Sequence, residues 1–351
     1  GDNVDWSASL VPDKIYADHP LWMDSRPYTA TDLDENGCVD QLVFHSDGAV
    51  CVLWGSEEED SLVYVSDTLL SDEYSTTTST YVYDLNNDGK EDLLACGGDQ
   101  YEDIYVFWNE GGGVFTEEII QLGHGVGNFH GLTVGDINSD GEAEIIASRF
   151  DEGFEGFDVI FKEKNQQPSQ LESFNIQAYA SGITYKSIEL ADMNNDGRRE
   201  VLAGNWSSNH IEIWQYDEKK DSLVLIDEIT GIGANIFDIA VDDLDHDGDQ
   251  DVVAGLRWNG TVICTNGDEG WSVSSLQNTY CWQVMIADFD GDSNPDIFNG
   301  TDWDYIRIFY GDGSGGFTEG PAPVSEAING HAKGFSAIDV NGDGRVDLIG
   351  V

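Results

Sequence analysis

Positively charged residues are scarce in this sequence, with 15 Lys and Arg against 68 Asp and Glu among 351 residues, a net charge of −53. A surface that acidic repels DNA, RNA and anionic membranes, so we expect no nucleic-acid partner. Long hydrophobic runs are also missing, because no stretch reaches the roughly 18 apolar residues of a membrane span. The sequence therefore predicts no insertion into a membrane.

Cysteine is nearly absent as well, with five residues that leave at least one thiol unpaired. Their spacing matches no zinc-binding pattern. Cys38 with Cys51, and Cys264 with Cys281, could form disulfides between neighbouring strands, but each cysteine could equally be a small buried hydrophobic residue. Cysteine usage therefore does not indicate the redox compartment.

Glycine, aromatic residues and acids are abundant, with 40 Gly, 11% aromatic residues and only 7 Pro. This composition favours short strands and frequent turns over long helices. The 40% hydrophobic content argues against disorder, which high net charge alone would suggest. We therefore expect many of the carboxylates to neutralise bound cations.

One acidic motif recurs seven times along the chain. Asp occupies its first position, Asp or Asn its third and fifth, and Asp or Glu its ninth. Successive copies are 45 to 56 residues apart. They begin at Asp32, Asp84, Asp136, Asp192, Asp243, Asp288 and Asp339. The period is close to the roughly 40–50 residues of a four-stranded propeller blade.

The residues that flank each copy indicate β-strands. Apolar residues alternate before the motif, as at Leu132 and Val134, and short apolar runs such as residues 252–254 follow it. Segments such as 103–108 and 114–120 then predict a third and a fourth strand. Seven such repeats predict an all-β fold, a seven-bladed β-propeller with four-stranded blades in a single domain spanning 1–351.

The two ends of the chain are expected to meet in one blade. The sequence stops after the second strand of the seventh repeat, whereas strand-like residues 5–18 precede the first repeat. We therefore expect residues ~1–20 to complete the seventh blade, so that the termini close the ring together.

The seven acidic loops, at residues 32–40, 84–92, 136–144, 192–200, 243–251, 288–296 and 339–347, carry the donors of calcium sites. Calcium takes six to eight hard oxygen ligands, and alternating carboxylates present several oxygens to one point. Glycine at position six permits the sharp turn, and a backbone carbonyl near position seven is expected to join the side chains. The predicted metal ligands are Asp32, Asp34, Asn36, Asp40, Asp84, Asn86, Asp88, Asp92, Asp136, Asn138, Asp140, Glu144, Asp192, Asn194, Asp196, Glu200, Asp243, Asp245, Asp247, Asp251, Asp288, Asp290, Asp292, Asp296, Asp339, Asn341, Asp343 and Asp347.

We expect up to seven Ca²⁺ ions with a structural role, because the loops supply many protein ligands and no nearby catalytic group. Asx-turns without any metal are the alternative explanation of the Asp and Asn residues. Two copies depart from the pattern, with Ser293 in place of glycine and Asn36 in place of Asp, and weaker binding is expected there.

The segments "DLNNDGKEDLLACG", "DMNNDGRREVLAG" and "DVNGDGRVDLIG", together with "GGGVFTE" and "GSGGFTE", resemble FG-GAP/VCBS repeats. The resemblance covers nearly the whole chain. It implies the calcium-binding propeller of integrin α-subunits, some fungal lectins and certain polysaccharide lyases, and an extracellular or cell-surface location. It does not choose among these functions, because a fold does not fix function.

Basic and aromatic residues are predicted to gather on the face opposite the calcium loops, where each first strand begins and each second strand ends. Six residues before each first Asp the sequence has Arg26, Thr78, His130, Lys186, Phe237, Trp282 and Lys333. Three of these seven are Lys or Arg, where the composition predicts about 0.3. The predicted ligand-binding residues are Arg26, His45, His130, Arg149, Lys186, Trp206, Arg257, Trp258, Trp282, Trp303 and Lys333, with Trp22 and His331 nearby.

Aromatic rings stack on sugars, and Arg or Lys pairs with carboxylate or sulfate, so this composition predicts a site for an acidic carbohydrate. The aromatic residues could instead plug the channel while the cations screen the acidic rim. A binding module for an anionic glycan or an extracellular protein is the first hypothesis, and an integrin-like adhesion module is a further alternative.

A polysaccharide lyase that cleaves a uronic-acid glycan by β-elimination is the enzyme alternative. Such a reaction needs a cation at the carboxylate, a base and an acid. Arg149, Arg257 or Lys186 could neutralise the carboxylate, with His130 as the base and Tyr185 as the acid. The sequence alone does not decide whether the protein is an enzyme.

Overall fold

The computed structural model describes residues 30–44, 50–58, 61–70, 76–98, 103–122, 129–149, 155–162, 174–179, 183–233, 235–267, 269–277, 279–301, 306–321, 335–339 and 344–350. All regular structure in these ranges is β-strand, which confirms the all-β class. None of the described residues forms a helix long and apolar enough to cross a membrane. Several predicted positions lie outside these ranges: residues 1–20, Trp22, Arg26, His45, Trp303, His331, Lys333, Asn341 and Asp343.

The chain divides into two compact units, and each is considered by itself. The first unit lies within Ser9–Val134 and Glu142–Gly182. Its three four-stranded sheets are β1 (Ala30–Thr31), β2 (Asp40–Phe44), β3 (Val50–Glu58) and β4 (Ser61–Leu70); β5 (Thr76–Tyr83), β6 (Asp92–Gly98), β7 (Asp103–Gly111) and β8 (Val114–Gln121); and β9 (Phe129–Gly135), β10 (Glu144–Arg149), β11 (Gly156–Lys162) and β12 (Phe174–Tyr179).

The second unit lies within Gly135–Gly141 and Ile183–Val351. It has three further four-stranded sheets and a pair of strands. They are β13 (Tyr185–Ala191), β14 (Glu200–Asn205), β15 (His210–Asp217) and β16 (Ser222–Thr230); β17 (Ile236–Asp242), β18 (Asp251–Leu256), β19 (Gly260–Thr265) and β20 (Ser272–Gln277); β21 (Gln283–Ala287), β22 (Asp296–Gly300), β23 (Arg307–Gly311) and β24 (Phe317–Glu319); and β25 (Phe335–Ile338) with β26 (Asp347–Gly350).

Each sheet is an antiparallel meander in which neighbouring strands follow one another along the chain. The acidic loop joins the first strand to the second in all seven sheets, and every second strand begins at the ninth-position acid. The predicted arrangement of strand, acidic loop and strand is therefore confirmed.

Burial separates the inner strands from the outer ones. All residues of β10, β14, β18 and β22 are buried, whereas β8 and β20 are largely exposed. In the second unit Leu202, Ile239 and Val252 belong to one hydrophobic cluster, so adjacent sheets pack face to face. The first strands β13, β17, β21 and β25 contact one another in succession, which brings their starting residues close together.

Cys264 and Cys281 are buried free thiols, so the second of the two possible disulfides does not form in this structure. Burial raises the pKa of both thiols to about 12. These two cysteines are therefore small core residues, as one of the two interpretations had it. Cys38 is not in a disulfide either.

Candidate functional site

The first residue of each acidic loop anchors the turn with both of its carboxylate oxygens. In the loop 243–251, Asp243 Oδ1 accepts the N–H of Asp247 at 3.1 Å and Oδ2 accepts the N–H of Gly248 at 3.0 Å. The loops that begin at Asp32, Asp84 and Asp192 repeat both bonds. Because an Asn side chain has only one acceptor oxygen, this position requires Asp.

The ninth residue ties the loop to two strands. Leu244 N–H donates to Asp251 Oδ2 at 3.1 Å, and Asn266 N–H donates to Asp251 Oδ1 at 2.8 Å from the region that follows β19. The same pair of bonds is made by Asp40, Asp92 and Asp296. Both oxygens again accept backbone N–H groups, which explains why this position is always Asp or Glu.

The third and fifth residues use one backbone-accepting oxygen each, and there the sequence alternates between Asp and Asn. Asn138 Oδ1 accepts the N–H of Asp140 at 2.9 Å, and Asn36 Oδ1 accepts the N–H of Cys38 at 2.7 Å. Asn36 therefore preserves the turn of its loop, although it removes one negative charge.

The turn also requires backbone with positive φ at positions four and six. In the loop 288–296 glycine has moved from the sixth position to the fourth, and Ser293 takes the sixth with φ of 71°. Ser293 N–H still donates to Asp288 Oδ2 at 2.8 Å. This loop therefore keeps the shape of the others despite the missing glycine.

Carboxylate oxygens converge in three of the loops. The sets Asp32, Asp34 and Asp40; Asp243, Asp245 and Asp251; and Asp288, Asp290 and Asp296 each place three oxygens within 4.8 Å of one another. Three carboxylates at that separation repel each other unless a cation or proton lies between them. An all-oxygen donor set of this kind fits a hard cation such as Ca²⁺.

The loop 192–200 neutralises part of its charge differently. Asn194 Nδ2 donates to Glu200 Oε1 at 3.1 Å, while Gln215 Nε2 donates to Glu200 Oε1 and to Asp196 Oδ2, both at 3.0 Å. Side-chain amides thus donate hydrogen bonds to Glu200 and Asp196 of this loop. The seven loops are therefore not equivalent.

The second unit also contains a group of seven side chains that we name the aromatic–cation cluster. It consists of Lys186, Trp206, Phe237, Arg257, Trp258, Tyr280 and Trp282. The cluster lies where β13 and β17 begin and where β14 and β18 end. The structure therefore brings together Lys186, Trp206, Arg257, Trp258 and Trp282, five of the predicted ligand-binding residues.

Both cations of the cluster lie against aromatic faces. Lys186 Nζ is 4.8 Å from the ring centroid of Phe237 and 5.0 Å from that of Trp206. Arg257 Cζ is 4.8, 4.9 and 5.7 Å from the ring centroids of Trp282, Trp258 and Trp206. All five distances are within the range of cation–π interactions.

Backbone irregularities place two residues of the cluster. The pairing of β13 with β14 skips Lys186, and the pairing of β17 with β18 skips Phe237. In the first unit, the pairing of β5 with β6 skips Thr78. Each of these residues is six positions before the first Asp of its loop. Such β-bulges redirect a side chain, and they are frequent next to functional sites.

The aromatic–cation cluster has a buried base and an exposed rim. Lys186, Phe237 and Trp282 are buried, whereas Trp258 is 51% exposed and Tyr280 is 40% exposed. Arg257 makes no ion pair with a carboxylate among the described residues, and its buried Nε lacks a hydrogen-bond partner there. Within the part of the chain that the structure describes, its positive charge is therefore stabilised by aromatic rings.

Comparison with known families identifies the repeat. The sequence model described as FG-GAP-like repeat matches residues 84–147, 175–254 and 288–350, together more than half of the chain. Each match spans two successive acidic loops. The chain belongs to the FG-GAP-like repeat family. A comparison with curated proteins finds no match.

Solved structures with little sequence similarity share the FG-GAP chain's fold. One is the crystal structure of BBS1N in complex with ARL6DN, soaked with lead, with 11% identity, a TM-score of 0.59, and coverage of 91% of this chain and 86% of that chain. Another is that of a putative 6-phosphogluconolactonase from Bacteroides fragilis, with 16% identity, a TM-score of 0.57, and coverage of 91% and 85%. The four-stranded antiparallel sheets of this FG-GAP chain are consistent with a β-propeller.

Burial changes the protonation of the ninth-position acids of the FG-GAP loops. It raises the pKa of Asp40, Asp92, Asp251 and Asp296 from 3.8 to about 6, although backbone N–H bonds act in the opposite direction. Burial likewise raises the pKa of Glu200. In the absence of a metal, these side chains therefore hold protons at pH values where the unfolded chain has lost them.

We expect the metal-free protein to melt at a higher temperature at pH 5 than at pH 7.5. A carboxyl group whose pKa is higher in the folded than in the unfolded state stabilises the folded state fully below pH 3.8. That stabilisation is lost as the pH rises through about 6. Thermal unfolding after exhaustive dialysis against metal-free buffer measures the effect. Excess calcium should reduce the difference, and a metal-free melting temperature that increases with pH would contradict the assignment.

Three other predicted residues are held by internal contacts. Arg149 is buried in the first unit, with its Nη2 3.1 Å from Asp158 Oδ1. Tyr185 is completely buried and donates its hydroxyl to Glu212 Oε2 at 2.5 Å. His130 is also buried in the first unit. The sequence reasoning missed Tyr280, whose only signal was an aromatic residue two positions before Trp282.

Proposed function

We propose that this FG-GAP chain is a calcium-stabilised, seven-bladed β-propeller, secreted or on the cell surface, that binds an acidic carbohydrate at the aromatic–cation cluster. Seven acidic loops and seven sheets support the blade count. Only two strands of the last sheet lie in the described ranges, and residues 1–20 are the candidates to complete that blade.

Calcium is proposed because the loop oxygens converge beyond what the turn itself requires. Hydrogen bonding to the backbone accounts for the carboxylates at positions one and nine, but it would accept Asn at positions three and five. Asp245 and Asp290 nevertheless add a third carboxylate to their clusters. A bound calcium ion would offset that repulsion, and the first-, third- and ninth-position oxygens would hold it.

The anionic character of the ligand rests on Arg257. Its guanidinium lies among three indole rings, without a carboxylate partner in the described residues, in a protein of net charge −53. Lys186 approaches the same Trp206 ring, so two positive charges face one site. A ligand with carboxylate or sulfate groups would accept bidentate hydrogen bonds from Arg257.

The carbohydrate character rests on the exposed rim. Trp258 and Tyr280 are packed edge to face with ring centroids 5.1 Å apart, yet about half of the Trp258 surface remains accessible. Large aromatic rings exposed beside a cation favour a ligand with apolar C–H faces and acidic groups. Uronic-acid and sulfated polysaccharides have both features.

Binding of polygalacturonate, alginate and chondroitin sulfate, compared with neutral dextran, tests the proposal. We expect the Arg257→Met and Trp258→Ala variants to bind the acidic polymers at least about tenfold more weakly than the parent. Calorimetric titration in calcium-containing buffer measures this. Arg198→Met is the matched control, because the Arg198 side chain is paired with Glu218 at 2.6 Å outside the cluster.

Equal affinity of Arg257→Met and Arg198→Met for every acidic polymer would overturn the site. Absence of binding to all of the acidic polymers would overturn the carbohydrate class. The same incubations, followed by the absorbance of the unsaturated uronate product, test the lyase alternative. The burial of Tyr185 weighs against that alternative, because a catalytic acid must reach the leaving oxygen.

A protein ligand is the second candidate. Trp, Tyr and Arg are the residue types enriched in the binding hot spots of protein interfaces, and the aromatic–cation cluster combines all three. BBS1N, whose solved structure resembles this chain, is there in complex with another protein, ARL6DN.

A further inference from the structure

A group of three potential metal ligands lies outside both the acidic loops and the aromatic–cation cluster. It consists of His210 and Glu212 on β15 and Glu228 on β16. One ligand atom of each lies within 4.8 Å of the other two. We propose that these residues bind a divalent transition-metal ion of the zinc class, at a site separate from the calcium loops.

The strand register places the three side chains on one face. Glu212 is the direct partner of Glu228 in the pairing of β15 with β16, and His210 is two residues before Glu212. Because side chains alternate along a strand, residues i and i+2 share a face. Two like charges directly opposite each other destabilise a sheet, and a cation between them would remove that cost.

Asn205 sets the tautomer of His210. Its Oδ1 accepts the N–H groups of Ser207 and Ser208, both at 2.8 Å, which fixes the orientation of the amide. Asn205 Nδ2, a donor, therefore faces His210 Nε2 at 3.3 Å, and the contact requires an unprotonated Nε2, the form of this nitrogen that binds a metal. A metal ion at Nε2 would take the place of the hydrogen bond from Asn205.

Glu212 Oε1 lies 3.3 Å from His210 Nε2, so the unprotonated ring nitrogen is next to a carboxylate oxygen, a second acceptor. A cation bound to both atoms would remove the repulsion between them. The separation is close to the roughly 3.4 Å between two ligands that each lie about 2.1 Å from a tetrahedral zinc ion.

The surrounding residues orient the proposed ligands. Tyr185 Oη and Trp214 Nε1 both donate to Glu212 Oε2, which leaves Oε1 turned toward the histidine. Ser208 Oγ lies 3.1 Å from His210 Nδ1 and can accept the ring proton there. Such partners on the far side of each ligand are typical of metal sites in proteins.

The donor set selects the metal. An imidazole nitrogen with two carboxylates suits zinc, nickel or copper, whereas the acidic loops offer oxygen ligands only and suit calcium. The two classes of ion can therefore be titrated independently in one sample of the protein.

Titration of the 351-residue chain with Zn²⁺ and Co²⁺, in the presence of excess calcium, tests the inference. We expect one calorimetric binding event and visible Co²⁺ absorption of a nitrogen-containing site. His210→Ala and Glu228→Gln should weaken zinc binding at least about tenfold, a loss typical of removing a ligand or its support. Glu117→Gln is the matched control, because Glu117 is an exposed acid on the outer strand β8 and is paired with Phe107.

Melting temperatures measured in calcium show whether each variant is folded. Zinc binding of equal strength by the parent, His210→Ala and Glu117→Gln would assign the zinc to other acids and overturn the site. Absence of zinc binding by the folded parent would overturn it as well.

Discussion

Removal of calcium is expected to lower the melting temperature of this protein by about 10 °C or more. A ligand present at a hundredfold excess over its Kd stabilises the folded state by about 2.7 kcal/mol per site. Several such sites together would amount to much of the ~5–15 kcal/mol that stabilises a typical domain. Thermal unfolding followed by circular dichroism, with calcium and with a chelator, measures the effect.

Two substitutions in the loop 243–251 remove different numbers of hydrogen bonds from the turn. Asp245→Asn retains the oxygen that accepts the Asp247 N–H, and three other described loops have Asn at the same position. We therefore expect this substitution to change the melting temperature only slightly. Asp243→Ala removes two backbone acceptors and a predicted ligand, and should release one calcium ion. Elemental analysis could find no calcium in the protein, and a chelator could leave its melting temperature unchanged. These two results together would show that hydrogen bonds alone form these turns.

The sequence was sufficient to predict the acidic loops and the strands around them because the repeat is local. The turn of each loop is built from hydrogen bonds within nine residues, and only the ninth-position acid also reaches the following strand. The strand that follows Asp251 is buried on both faces, and its continuous apolar run shows this directly. Local periodicity therefore determined the all-β class and the position of each loop.

Contacts between residues that are distant in sequence could be predicted less well. The proximity of Lys186 to Trp206 and Arg257 followed from strand direction, but the β-bulge that redirects Lys186 has no signature in the sequence. The pair of Glu212 and Glu228 depends on the register of β15 with β16, which a single sequence does not specify. Asp158, the partner of Arg149, was missed for the same reason.

Three arginines illustrate what separates a ligand-binding cation from a structural one. Arg149 is buried against a carboxylate, Arg198 is paired with Glu218 at the surface, and Arg257 lies among rings without a carboxylate partner in the described residues. The sequence predicted the same role for Arg149 and Arg257, because both lie at the end of the second strand of a sheet. Their partners predict different consequences for the same substitution.

Arg149→Met is expected to destabilise the protein by about 3–5 kcal/mol, because it leaves Asp158 as a buried charge without its cation. The two side chains are 4% and 0% exposed, so water cannot compensate for the lost partner. Arg198→Met, the same change in a solvent-exposed pair, should leave the free energy of unfolding nearly unchanged. Denaturant unfolding of both variants in calcium measures the difference, and the slope of each transition shows whether the folded states are comparably compact.

Arg257→Met completes the comparison, since it should weaken binding of acidic polysaccharide while leaving the free energy of unfolding within about 1 kcal/mol of the parent. Arg149→Met should show the opposite pattern, with stability lost and the affinity of the remaining folded protein unchanged. If Arg149→Met were fully stable and bound acidic polysaccharide weakly, Arg149 would be a ligand-binding residue. The buried pair with Asp158 would then not be its main interaction in solution.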